Sequence, residues 1–162
     1  MDSPIKRILV YVDGSEQSIT AAQYSICLAK YLKAELFALY VVNTRALNEL
    51  LNARIFLKSE QEEYQHDLEA DAGKYLNHVR ELARRKGIAI ETLHTSGTVH
   101  TEVKNILSER KIDLFIVGEL SNIRSRRDEF YNESERAMRI APCPVVIVKD
   151  DDRVYRMYDE LE

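Results

Sequence analysis

Short runs of apolar residues, many of them β-branched, alternate along this chain with longer amphipathic segments. The runs predict buried strands over residues 7–12, 36–42, 88–94, 112–117 and 145–148. Apolar residues recurring every three or four positions predict helices over 16–33, 59–86, 99–110 and 129–140. Strands that alternate with helices pair in parallel through right-handed crossovers, and near-continuous apolar strands are covered on both faces. The chain is therefore expected to form an open five-stranded parallel α/β sheet with helices on both faces.

Three predicted helix ends carry residues that favour them. Asp13 and Gly14 form a turn after the first strand, and Ser15 follows as the N-cap of the first helix. Thr98 stands in the same position before the third helix. Gly87 follows the long second helix at the position where the backbone often turns left-handed.

Length and charge narrow the class of protein. A chain of 162 residues fits one domain, which we place at 1–149, followed by an acidic amphipathic tail at 150–162. The net charge of −4 gives no basic field, so a nucleic acid partner is not expected. The longest apolar run is too short to span a bilayer and no leader is recognised, so a cytoplasmic protein without a membrane partner is expected. Cys27 and Cys143 are interpreted as small buried hydrophobes.

Two segments are additional to the alternating plan. Residues 44–58 carry apolar side chains at roughly helical spacing, namely Leu47, Leu50, Leu51 and Ile55. In the tail, one helical face carries Val154, Met157, Tyr158 and Leu161. A helix this short is marginal alone, so the apolar stripe predicts docking that buries Tyr158, on the chain's own body, a second subunit or another protein. A disordered acidic tail is the alternative.

The predicted strand order, 3-2-1-4-5, places the ends of strands one and four side by side where their connections diverge, which is where such sheets bind ligands. Asp13 follows strand one and is able to accept hydrogen bonds from a ribose or an adenine amino group. Gly118 follows strand four and allows close backbone approach. Arg124, Arg126 and Arg127 add charges for phosphates. The alternative is that Asp13 organises the turn, Gly118 ends the strand and the arginines are solvated.

Other chemistries find little support in the sequence. The histidines at 66, 78, 94 and 100 form no i, i+3 or i, i+4 pair, so no metal ligands are predicted. No nucleophile elbow G-x-S-x-G and no phosphate loop GxxxxGK[ST] occurs. We therefore predict no catalytic residues.

Four segments together resemble the universal stress protein family: RILVYVDGSEQSITAAQYSICLAK, ALYVV, KIDLFIVG and ERAMRIAPCPVVIVK. The resemblance covers residues 6–149. It implies the adenine nucleotide alpha hydrolase-like version of the fold, cytoplasmic stress physiology and a homodimer. The family's homodimers are often joined through the last strand, which here comprises Val145, Val146, Ile147 and Val148.

ATP-binding members of that family carry the pattern G-2x-G-9x-G-[ST] after strand four. In this chain its positions fall on Gly118, Ser121, Tyr131 and Asn132, so only the first glycine is kept. The positions that frame adenine are matched by Val12, Asp13 and Val41. The resemblance thus implies an intact base end, an altered phosphate end and a subgroup not expected to hold ATP.

Two functional hypotheses follow. The first is a non-enzymatic, homodimeric stress-response protein that acts through an unknown protein partner, with no cofactor or only weak binding of ATP or AMP. The second is an adenine-nucleotide-binding switch or slow ATPase with a remodelled phosphate loop.

Overall fold

A parallel sheet forms the centre of the molecule. The computed structural model describes residues 2–44, 48, 52, 58–120 and 133–162. Within them the strands are β1 (Arg7–Tyr11), β2 (Glu35–Asn43), β3 (Ile90–Gly97), β4 (Leu114–Gly118) and β5 (Val145–Val148). They form a five-stranded sheet of order β3-β2-β1-β4-β5 in which every pairing is parallel. The predicted fold class and strand order are confirmed.

Helices cover both faces of this sheet. They are α1 (Glu16–Leu32), α2 (Lys58–Arg85), α3 (Val99–Glu109), α4 (Glu133–Ile140) and α5 (Asp151–Glu160). Buried side chains of α1, α2 and α5 form one core cluster with Ile8, Val10 and Ile116 of the sheet. Those of α3 and α4 form a second cluster around Phe115 on the opposite face. Because the strands are parallel, α1, α3 and α4 all begin at the edge where the strands end.

Strands β3 and β4 begin two residues later than the sequence predicts, for the same reason. The amide of Ile88 donates to the carbonyl of Ala83, and the amide of Ile112 donates to that of Leu107, so both isoleucines belong to the ends of helices. The residue before each is left-handed, Gly87 at φ +71° and Lys111 at φ +51°. At its far end β3 continues to Gly97, because Gly97 pairs with Asn43, the last residue of β2.

The tail forms the helix α5, as predicted, and it packs against α1 of the same chain. Val154 and Tyr158 are buried, whereas Met157 is 38% exposed at the margin of the apolar stripe. Asp150 caps the helix by accepting a hydrogen bond from the amide of Arg153. The expectation of a helix that buries Tyr158 is confirmed, and the disordered alternative is wrong.

Some predictions fall outside the described residues. They concern Leu47, Leu50, Leu51 and Ile55 in the segment after β2, and residues 129–132 at the predicted start of α4.

In the part of the chain that the structure describes, no helix is both long enough and apolar enough to cross a membrane.

Candidate functional site

The carboxyl ends of β1 and β4 lie side by side at the point where the chain diverges in two directions. Val10 of β1 is in register with Ile116 of β4, and the chain leaves β1 toward α1 on one face. From β4 it proceeds to α4 on the other face. This crevice is where the sequence predicted that Asp13 and Gly118 would meet.

Asp13 organises the turn between β1 and α1. Its Oδ1 atom accepts hydrogen bonds from the amide of Ser15 at 3.0 Å and from the Ser15 hydroxyl at 2.5 Å. The Ser15 Oγ atom in turn accepts from the amide of Ser18 at 3.1 Å, which confirms Ser15 as the N-cap of α1. The Asp13 carboxylate is exposed to solvent at the mouth of the crevice. One of its oxygens is therefore committed to the turn.

Gly118 is the last residue of β4, and it lies against the first turn of α1. A Cβ atom added to Gly118 would approach the carbonyl oxygen of Gln17 to 2.4 Å and its carbonyl carbon to 2.5 Å. Backbone atoms of a helix have no room to yield to such a contact. The glycine is thus required by the packing of α1 against β4, whether or not a ligand binds.

The two valines predicted at the base end are core residues. Val12 is fully buried on the α1 face, and Val41 is 5% exposed on the α3 face. The amide of Val12 also continues the ladder by donating to the carbonyl of Leu39 at 2.9 Å. Both side chains are packed in the core and offer little surface to a ligand.

The remaining predicted residues divide into two groups. Those of the phosphate end lie outside the described residues: Ser121, Arg124, Arg126, Arg127, Tyr131 and Asn132. The predicted interface strand β5 lies at the sheet edge, with β4 as its only neighbour among the described strands. Within it Val145 and Val146 are half-buried, Ile147 is 38% exposed and Val148 is buried.

Sequence reasoning missed a polar pair at the same edge of the sheet. Nδ1 of His100, in the first turn of α3, lies 3.1 Å from Oε2 of Glu133, the first residue of α4. Nη1 of Arg136 lies 3.8 Å from the other carboxylate oxygen, and the Glu133 side chain is only 13% exposed. The available signal was the acidic residue directly after Asn132 in the sequence. The pair's second member is 33 residues away, so spacing gave no indication of it.

Two tyrosines near this edge have phenols whose pKa is raised, chiefly by burial. Tyr11 ends β1, and burial together with the nearby Asp13, Tyr40 and Glu133 raises the pKa of its phenol far above the usual range. Burial raises the pKa of Tyr40 as well, with Asp71 and Asp13 adding to the effect. Burial is the larger cause for both tyrosines, and the nearby acidic groups add to it.

An aromatic pair borders the turn on the α1 side. Tyr40 of β2 and Tyr75 of α2 have parallel rings with centroids 6.2 Å apart. A Cβ atom on Gly14, which has φ +84°, would lie 2.6 Å from the Tyr75 ring. Tyr75 thus packs directly over the Asp13 turn and holds it in place.

The residues described include no group of three or more histidine, cysteine, aspartate or glutamate side chains that could hold a metal ion. Among the described residues, the site consists of three features. They are the Asp13 carboxylate in the turn, the close contact of Gly118 with the backbone of Gln17, and the pair formed by His100 and Glu133.

Comparison with known proteins identifies the relatives of this chain. The model of the universal stress protein family matches residues 4–149. The universal stress protein MJ0531 of Methanocaldococcus jannaschii is 28% identical over 144 residues, which are 89% of this chain and 82% of that protein. The structure of the universal stress protein UspA from Lactobacillus plantarum superposes with a TM-score of 0.71 at 21% identity, covering 91% of this chain and all of that one.

A family protein from Arabidopsis thaliana with AMP bound has the same fold. Its TM-score is 0.63 at 14% identity, and the match covers 91% of this chain and 94% of that one. The family model extends over the whole sheet and over the helices that surround the crevice. The chain belongs to the universal stress protein family.

Proposed function

We propose that this protein is a non-enzymatic stress-response protein of the cytoplasm, which acts as a homodimer through protein partners and binds ATP weakly or not at all. The observation that carries the proposal is the contact between Gly118 and the backbone of Gln17. The single glycine retained from the family's ATP pattern is explained by internal packing, so its presence gives no support to a phosphate site.

The sequence of the phosphate end points the same way. Ser121 and Tyr131 stand where ATP-binding members have glycines, so two close backbone approaches are replaced by side chains. Each lost charge-assisted hydrogen bond costs about 1.5–3 kcal/mol, so losing two weakens binding by roughly two to four orders of magnitude. The proposal therefore places this chain in a subgroup with a degraded glycine pattern.

The homodimer is proposed from the edge strand. An edge strand with unpaired backbone groups favours pairing with another chain, and a two-fold axis pairs the same strand antiparallel with itself. Exposed apolar side chains lie next to this edge, with Ile147 at 38% and Ile140 at 37% exposure. Pairing of two β5 strands would cover both.

A second candidate is an adenine-nucleotide switch or slow ATPase. It is favoured by the exposed Asp13 carboxylate at the crevice and by the AMP-bound relative of the same fold. In this version Arg124, Arg126 and Arg127 supply the charges that the missing glycines no longer provide.

Calorimetric titration with ATP, ADP and AMP separates the two candidates. We expect dissociation constants weaker than about 100 μM for all three nucleotides, because the phosphate contacts are lost. A matched variant that restores the glycines, Ser121→Gly with Tyr131→Gly, should bind ATP more tightly than the unmodified protein. Low-micromolar affinity of the unmodified protein, ATP copurifying at full occupancy, or steady ATP turnover would overturn the proposal in favour of the second candidate.

A further inference from the structure

We propose that the surface beneath α5 is a docking groove for an acidic amphipathic helix of a partner protein, and that α5 occupies this groove in the isolated chain as a built-in competitor. The groove is formed by α1 together with Leu82 and Lys86 at the end of α2. The assignment rests on the proposed function, because it names the surface and the kind of partner through which the protein acts.

The groove belongs to the body of the protein, and α5 is an addition to that body. The family model ends at residue 149, so the residues that form the groove lie within the matched segment and α5 lies outside it. Val154 and Tyr158 of α5 are buried against the body, and Leu161 is partly buried beside them. Apolar residues at i, i+4 and i+7 are the anchors by which a helix docks into a groove of another protein. The chain's own helix therefore uses the binding mode of a separate one.

A cation at the far end of the groove receives the carboxyl end of the helix. Nζ of Lys86 donates to the carbonyl of Asp159 at 3.2 Å and to that of Leu161 at 2.9 Å, and it lies 4.8 Å from the centre of the Tyr158 ring. Carbonyls in the last turn of a helix have no partner within it, and positive charge is favourable there. Because these acceptors are backbone groups, any docked helix supplies them.

Charge complementarity indicates that the partner helix is acidic. Helix α5 ends with Asp159 and Glu160 and has no basic residue in its last turn, although negative charge is unfavourable at that end of a helix. The end of α2 compensates, since residues 84–86 are Arg-Arg-Lys. Both arginines pair with Glu81, which leaves this run with an excess of positive charge. An acidic carboxyl end thus suits this groove better than a basic one.

The attachment of α5 allows it to leave the groove as a unit. Residues 149–150 are its link to β5, and Asp150 has φ +66°, in the left-handed region that residues other than glycine seldom adopt. A helix of ten residues is marginal alone in water, so α5 loses its helical structure when it undocks. The apparent affinity for a partner is then the intrinsic affinity reduced by the fraction of molecules in which the groove is open.

The test uses a fluorescently labelled peptide with the sequence of residues 150–162, added to the full chain and followed by fluorescence anisotropy. In Val154→Asp a charge enters the buried position, so the chain's own helix no longer docks. We expect this variant to bind the peptide at least about tenfold more tightly than the unmodified chain, in which α5 competes. Tyr155→Asp is the matched control. It adds the same charge to the same helix at a position 58% exposed, so its affinity should equal that of the unmodified chain.

A second pair of variants tests the cation of the groove. In the Val154→Asp background, Lys86→Met should weaken peptide binding by about tenfold, because the carbonyls at the end of the helix lose a charged donor. Lys104→Met, at an exposed position of α3 on the opposite face of the sheet, should leave it unchanged. The absence of peptide binding to a folded Val154→Asp chain would overturn the proposal. Equal losses in the two lysine variants would also overturn it, since binding would then follow net charge alone.

The oligomeric state distinguishes a partner protein from a second copy of this chain. The dimer proposed through β5 should persist in Val154→Asp, because Val154 is buried beneath α5 and not at the β5 edge. A dimer of the unmodified chain that Val154→Asp dissociates, as seen by sedimentation velocity, would instead assign the groove to the α5 of a second copy. That outcome would overturn the proposal of a separate partner.

Hydrogen exchange of the unmodified chain covers the case in which Val154→Asp does not fold. The amides from Val154 to Tyr158 should exchange at least about ten times faster than those of β1, since α5 opens while the sheet stays closed. Equal rates would mean that α5 leaves only when the whole protein unfolds, and would overturn the proposal. Low-micromolar ATP binding would end the proposed function and leave peptide binding as it is, so the two failures are distinguishable.

Discussion

The hydroxyl of Tyr158 donates a hydrogen bond of 2.6 Å to the carbonyl oxygen of Leu82, and this bond joins the C-terminal helix to the end of α2. The carbonyl belongs to the last turn of α2, where backbone acceptors lack partners within the helix. The amide of Lys86 donates to Ala83 instead. Nζ of Lys86 bonds the carbonyls of Asp159 and Leu161 and lies 4.8 Å from the centre of the Tyr158 ring. The ends of α2 and α5 therefore satisfy each other's hydrogen bonds.

The variant Tyr158→Phe should lower the free energy of unfolding by about 1–3 kcal/mol, because it leaves the buried carbonyl of Leu82 without a partner while keeping the ring in place. Urea denaturation measures the change. Tyr155→Phe is the control, since Tyr155 is 58% exposed on the same helix and should change stability little. Equal effects of the two variants would contradict this account of the contact.

Alkaline pH should destabilise the fold through Tyr11. Burial, together with Asp13, Tyr40 and Glu133, raises the pKa of Tyr11 in the folded state. In the unfolded chain the pKa of a tyrosine is about 10. The stability that depends on the protonated phenol is therefore fully present below pH 10 and is lost as the pH rises above it, by up to about 1.4 kcal/mol per pH unit. Burial raises the pKa of Tyr40, Tyr158 and Cys27 as well, which acts in the same direction.

Urea denaturation at several pH values between 8 and 11 tests this. In Tyr11→Phe the decline of stability above pH 10 should be shallower than in the unmodified protein, since one of the groups with a raised pKa is removed. Parallel curves for the two proteins would mean that Tyr11 is not responsible.

Substituting alanine for two glycines should have opposite effects. In Gly118→Ala the new methyl group meets the backbone of Gln17, which we expect to cost about 1–3 kcal/mol of stability. In Gly73→Ala, within α2, nothing lies within 4 Å of the added atom. Because alanine has a greater helix propensity than glycine, this variant should raise the free energy of unfolding by about 0.5–1 kcal/mol. Thermal unfolding of both variants gives the comparison, and a Gly118→Ala protein as stable as the unmodified chain would refute the packing argument.

The proposed dimer should dissociate in the variant Ile147→Lys. Its side chain is 38% exposed at the sheet edge, so the charge would disrupt an interface through β5 while leaving the monomer folded. Val146 is a poorer choice, because it packs against the core and its replacement would also destabilise the monomer. Sedimentation velocity at micromolar concentration distinguishes the species. Tyr31→Lys, at a site 75% exposed in α1, serves as the control. A monomeric unmodified protein would rule out the dimer.

The sequence was sufficient to predict the sheet, because β1, β2, β4 and β5 are largely apolar runs and the crossovers leave few possible orders. The edge strand β3 was recognised from its alternation of apolar and polar residues. It predicted the start of α1 correctly from the local chemistry of Ser15. It misplaced the starts of β3 and β4, since Ile88 and Ile112 have strand-like side chains but their amides complete helix ends. Lys111 gave no warning of its left-handed backbone, whereas Gly87 did.

For the site, the sequence could place Asp13 after β1 and Gly118 at the end of β4, but it could not show what each one contacts. The reason for the glycine at 118 is the backbone of Gln17, which is distant in sequence and is brought close only by the packing of α1 on the sheet. The partner of Glu133 depends in the same way on how α3 and α4 lie together. Long-range contacts of this kind have no periodicity or spacing to reveal them.

The C-terminal helix shows that the unit of homology and the unit of folding have different ends in this chain. The family model stops at residue 149, but Val154 and Tyr158 belong to the same buried cluster as α1 and α2. A fragment cut at the family boundary would leave an apolar strip of α1 facing water and an unpaired carbonyl at the end of α2. Such a fragment should be more prone to aggregate than the full chain, because the last thirteen residues cover this apolar surface.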